Sequence, residues 1–114
     1  MTTEELYQTI GGNYREVLGR FMTEDRVLRF VKKFPADGSF ELLKTSLENG
    51  VQEEAFRAAH TIKGVAQNLG FTALYEKVVV VTEILRGGSM EVAEYMPELE
   101  RLYKLTVESI LKLN

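Results

Sequence analysis

The 114-residue sequence has no cysteine, only two prolines and a single histidine. Without cysteine, disulfides and thiol-based metal or redox chemistry are excluded, and a reducing cytoplasm is compatible with the chain. No polar tract is long enough to indicate disorder. The longest purely aliphatic run, Val78 to Val81, falls far short of the roughly 20 apolar residues that span a bilayer. The first residues, Met1-Thr2-Thr3-Glu4-Glu5, lack the basic and then apolar order of a secretory leader. Positive charge is also short, with 14 Lys and Arg against 17 Asp and Glu and a net charge of −3. No basic stripe is available to displace counterions, so nucleic acid is not an expected partner. The expectation is one cytoplasmic domain over residues 1–114 that binds neither membrane nor nucleic acid.

Specialised sites are missing too. There is no Gly-rich phosphate loop, so an ATP site and autonomous kinase activity are not expected. A di-iron bundle needs Glu-x-x-His pairs, and Arg57 stands three residues before the only histidine. That histidine has no acidic orienter and nucleophile nearby in sequence from which to build a triad. No metal and no cofactor are expected.

The chain that remains reads as helix almost throughout. Thr2 with Glu5, and Asn13 with Glu16, have the spacing of capping boxes and mark two short N-terminal helices separated by Gly11-Gly12. Thr23 before Glu24-Asp25 starts a third, with Val27, Phe30, Val31 and Phe34 on one face and Pro35 as its stop. Ser39 caps a fourth segment carrying Phe40, Leu43 and Leu47, which ends at Asn49-Gly50. Val51 to Leu69 forms a long helix stopped by Gly70, and Phe71, Leu74, Val78, Val81 and Leu85 repeat at three-four spacing before Gly87-Gly88. The valine run suits a strand on propensity alone, but its spacing and length favour a helix. In the last segment Val92, Met96, Leu99, Tyr103, Ile110 and Leu113 share a stripe. There Pro97 either begins a helix or kinks a longer one. Four longer amphipathic helices with short connections imply an all-α, up-down antiparallel four-helix bundle, with the short N-terminal helices as a cap.

The chemistry concentrates in the Val51–Leu69 helix. At about 100° per residue, Val51, Ala55, Ala58, Ile62, Val65, Ala66 and Leu69 gather on one side. Glu53, Arg57, His60, Lys63, Gly64 and Gln67 gather on the other. His60 therefore stands near the middle of the solvent-facing stripe rather than in the core. Gly64 is an unfavourable choice, because glycine inside an exposed helix costs roughly 1 kcal/mol relative to alanine. Helical side chains lean toward the N-terminus, so glycine at 64 leaves the imidazole one turn earlier uncovered. Lys63, one turn from His60, can pair with an anion held at the imidazole nitrogen. Phe56, Arg57 and Gln67 surround the histidine as a docking rim, with Phe56 as an aromatic anchor. Neutral imidazole is already a nucleophile and needs no adjacent base. Phosphoryl transfer needs mainly positioning and charge stabilisation, so an exposed imidazole, a cation and a clear approach suffice, with the metal ion supplied by a partner.

From His60 to Gly70 the chain reads His-Thr-Ile-Lys-Gly-Val-Ala-Gln-Asn-Leu-Gly. This stretch resembles the signature of histidine phosphotransfer (HPt) domains of two-component phosphorelays: histidine, Lys-Gly at the third and fourth following positions, a small residue at the sixth, an aliphatic at the ninth and glycine at the tenth. Lys63, Gly64, Ala66, Leu69 and Gly70 occupy those positions, and Ala58-Ala59 and Phe71 match its flanks. Gln67 departs from it, since many members carry a small residue there. The resemblance implies a phosphocarrier without an ATP site, phosphorylated on His60 through the outer ring nitrogen. Lys63 would support the phosphoryl group and Gly64 would give access. The implied partners are response-regulator receiver domains and a hybrid sensor kinase, and the chain is expected to act as a monomer. Two alternatives stay open: a non-catalytic helical module that binds a receiver, and an excised phosphorylated domain of a chemotaxis-type kinase. The initial Met and the compact end at Leu113-Asn114 favour an independent protein over the second.

Overall fold

In a computed structural model, residues 1–113 are described. Among them the only regular elements are seven α-helices and one 3-10 turn. The helices are α1 (Thr3–Ile10), α2 (Tyr14–Phe21), α3 (Glu24–Val31), α4 (Ser39–Glu48), α5 (Gln52–Asn68), α6 (Thr72–Arg86) and α7 (Met96–Ile110), with the turn at Phe34–Ala36. The valine run lies inside α6, with Val78 and Val81 fully buried, so periodicity outweighs strand propensity there.

Local chemistry explains most helix ends. Thr2 and Glu5 form a complete capping box on α1. Asn13 caps α2 through its side chain and Thr23 caps α3 in the same way. Ser39 is not a cap but the first residue of α4, and the Asp37 carboxylate accepts from its N–H at 2.8 Å. Pro35 does not stop α3, which has already ended at Val31, so Phe34 reaches the core from the 3-10 turn. Phe30 is 40% exposed rather than core, and it stacks on Phe21 with ring centroids 4.7 Å apart. Pro97 lies in the first turn of α7, where its missing N–H would have no intrahelical partner anyway, so it begins the helix.

Helices α4, α5 and α6 pack in sequence, and α7 closes the assembly onto α6 and α1. The contacts are antiparallel. Gln52 at the start of α5 donates to the carbonyl of Leu85 at the end of α6. Phe40 and Lys44 of α4 meet Tyr103 and Glu100 of α7, through a ring stack at 4.3 Å and an ion pair at 2.9 Å. Helix α5 sits between α4 and α6 and presents small side chains inward. Ala55, Ala58, Ala59 and Ala66 are all buried, which lets the flanking helices approach closely.

The short helices at the N-terminus hold the C-terminal end of α5. Gly70 adopts φ +71 there, and a Cβ on it would lie 2.9 Å from the Asn13 carbonyl oxygen. A Cβ on Gly12 would lie 2.8 Å from the Gly70 oxygen, so the two turns meet backbone to backbone and only glycine fits. Phe71 fills the space beneath them, between Tyr7 and Phe34, at centroid distances of 5.7 and 5.3 Å.

Candidate functional site

The last carbonyls of an α-helix have no intrahelical partner and must be satisfied from elsewhere. In α5 those donors come from α1, α2 and the turn between them. The buried Tyr7 hydroxyl donates to the Leu69 carbonyl at 2.5 Å, and the Asn13 N–H donates to that of Gly70 at 2.8 Å. The Arg20 guanidinium donates to the carbonyls of both Gln67 and Asn68. Burial raises the pKa of the Tyr7 phenol well above its ordinary value of 10.0, with the neighbouring Tyr14 and Arg20 as lesser and opposing influences. The helix that carries His60 is therefore anchored at both ends, at Gln52 to α6 and at residues 67–70 to the N-terminal helices.

Along the outward face of α5, His60 is exposed near mid-helix, with Arg57, Gly64 and Gln67 exposed around it and Lys63 and Phe56 half-buried. All six residues share one surface of one helix. Around a Cβ placed on Gly64 there is nothing within 4 Å, so no tertiary contact explains this glycine. Such a Cβ would not touch the His60 ring either. The space over Gly64 is open to an approaching molecule rather than needed by the imidazole.

Charge on this face is arranged unevenly. Arg57 is paired with Glu53 at 2.7 Å, Arg86 of α6 with Glu83 at 3.1 Å, and Arg20 of α2 with Glu16 at 2.9 Å. Lys63 makes no ion pair or hydrogen bond among the described residues. An incoming anion beside His60 therefore meets one ammonium that is not already neutralised.

The His60 imidazole forms no hydrogen bond among the described residues, and its ring contact is with Phe56, at 5.8 Å between centroids and 28° between planes. The guanidinium of Arg86 lies 5.0 Å from the centroid of the same Phe56 ring. Arg86 escaped the sequence reading because it lies 26 residues beyond His60 on the neighbouring helix, where spacing along one helix carries no signal. Arg20 and Tyr7 escaped it for the same reason.

No group of three or more histidine or acidic side chains suited to a metal ion occurs among the described residues. No helix is long and apolar enough to cross a membrane among these residues. A groove of about 550 Å³ opens elsewhere, between α4, α7 and the connection preceding α7, and it contains no residue of α5.

The Hpt domain family matches residues 33–110, from the 3-10 turn that follows α3 through the end of α7. The chain belongs to the Hpt domain family and has a phosphotransfer role in two-component signalling. Domains of this family carry phosphoryl groups and interact with receiver domains and kinases. No curated protein and no solved structure matches the chain significantly.

Proposed function

We propose that the whole chain, residues 1–114, acts as one cytoplasmic phosphocarrier that shuttles a phosphoryl group between His60 and the aspartate of a receiver domain. The outer nitrogen of the neutral imidazole attacks the phosphorus of the partner's aspartyl phosphate. An N–P bond forms, the P–O bond to aspartate breaks, and its electron pair returns to the carboxylate. The reverse step passes the group to a second receiver, and the carrier supplies neither ATP nor metal. Such a transfer is governed by positioning and charge stabilisation. Lys63 neutralises phosphoryl oxygens, Gly64 leaves the approach clear, and Phe56, Arg57 and Gln67 form the docking rim.

One observation carries this reading. On a single exposed face, His60 stands beside the unpaired cation Lys63 and a glycine with open space above it, while the neighbouring arginines are paired. A module that merely bound its partner would have no use for a helix-weakening glycine and a free ammonium beside an exposed imidazole.

The test is transfer from a radiolabelled receiver phosphate to the purified chain. Label should appear on the chain in an acid-labile, base-stable form, and His60→Gln should carry none. Label on the His60→Gln chain, or receiver binding without any transfer from a panel of receivers, would remove the carrier assignment.

A further inference from the structure

We infer that Phe56 is a positioning residue for His60, braced by Arg86, and that its ring sets the direction in which the reactive imidazole points. The inference rests on the phosphocarrier reading and adds to it a means of orienting a side chain that nothing else orients. A reacting histidine is ordinarily fixed by a hydrogen bond from its second ring nitrogen to a carboxylate or carbonyl. No such bond exists among the described residues. An exposed helical histidine without one exchanges among its rotamers on a picosecond to nanosecond scale.

The Phe56 ring supplies the missing restraint. It lies one turn before His60, in the direction in which helical side chains lean. The two rings are stacked at 5.8 Å and 28°, within the range of favourable offset aromatic pairs. Phe56 is held in turn. The Arg86 guanidinium lies over its ring at 5.0 Å, and Arg86 Nε donates to Glu83 at 3.1 Å. Gln52, one turn before Phe56, donates to the carbonyl of Leu85, the residue next to Arg86. The end of α6 thus braces Phe56, and Phe56 braces His60. On the opposite flank the space over Gly64 is open, so the stack restrains the imidazole without closing the approach of a partner.

Because transfer requires the imidazole nitrogen in line with the breaking P–O bond, loss of orientation slows the step itself. We expect Phe56→Leu to lower the single-turnover transfer rate at saturating phosphorylated receiver by about tenfold, a modest part of what misorientation can cost. Phe56→Tyr should restore it, and Arg86→Gln should give a smaller loss. NMR of the unphosphorylated chain supplies a second readout that does not depend on transfer. The His60 ring protons should carry an upfield ring-current shift that Phe56→Leu removes and Phe56→Tyr keeps. Unchanged His60 shifts in Phe56→Leu would overturn the inference. So would a full transfer rate at saturation, with any effect confined to receiver affinity, because Phe56 would then serve docking alone. Should the wild-type chain accept no phosphoryl group at all, the phosphocarrier reading fails, and the shifts still report whether the stack exists.

Discussion

Gly64→Ala separates stability from function in opposite directions. The position is helical, exposed and free of neighbours within 4 Å of an added Cβ, so the methyl group meets no steric resistance. Replacing glycine by alanine inside a helix then stabilises by about 0.5–1 kcal/mol. With an unfolding entropy of roughly 2.1 cal/mol/K per residue, the 114 residues give about 0.24 kcal/mol/K, and the gain becomes a rise in Tm of about 2–4 °C. Calorimetry or thermal circular dichroism resolves a shift of that size. Phosphoryl transfer should move the other way, by about tenfold or more, since a displacement near 1 Å at a reacting centre can cost two orders of magnitude. The methyl does not reach the His60 ring, so the loss must arise in the complex with the receiver rather than in the free chain. A variant with a higher Tm and an undiminished transfer rate would refute the access argument. A variant with a lower Tm would refute the claim that the space above Gly64 is empty.

Other consequences are open to direct measurement. Lys63→Ala should leave the fold intact and slow transfer to His60 by about tenfold, less than the roughly 10²–10³ of a donor in an enclosed site because the half-exposed Lys63 is screened by water, and Lys63→Arg should recover part of the loss. Tyr7→Phe leaves the Leu69 carbonyl without its donor, which should cost about 1–3 kcal/mol in denaturant unfolding. The Tyr7 phenol titrates higher in the folded chain than its ordinary value of 10.0, so its contribution to stability is complete below that pH. Above it the unfolded chain loses the proton first and stability falls, a decline that Tyr7→Phe should lessen in urea titrations between pH 9 and about 11. Met22 holds φ at 75° between α2 and α3 with its side chain 75% exposed, so Met22→Gly should raise stability by about 1 kcal/mol. An unchanged or lowered unfolding free energy for that variant would show that the Met22 backbone is unstrained.

Much of the fold was legible because local rules and tertiary packing agree. The caps at Thr2, Asn13 and Thr23, the stop at Gly70 and the three-four spacing through α6 are short-range signals that burial reinforces. The signals that failed were ambiguous at short range. Ser39 has the chemistry of a cap, but the Asp37 carboxylate two residues earlier takes its N–H. Phe30 lies on the apolar stripe of α3 but finds Phe21 at the surface instead of the core. Pro97 permits two readings, and the turn over residues 93–95 preceding α7 decides between them. Within the candidate site, the six residues read from α5 fall on one face because a single helix relates them. Arg86, Arg20 and Tyr7 come from elements whose placement depends on how helices pack, which periodicity along one helix cannot express.

The hydrogen bonds at the end of α5 bear on where this protein may be cut. The family match begins at residue 33, yet Tyr7, Asn13 and Arg20 all precede it. A fragment trimmed to the matched segment would keep every residue of the histidine face and lose the donors that terminate its helix. The carbonyls of Asn68 and Leu69 would turn to water or fray, that of Gly70 would keep only a long bond from Thr72, and Phe71 would lose its cover of Tyr7. A piece cut to the limits of the family likeness is therefore expected to be less stable than the chain that keeps residues 1–32.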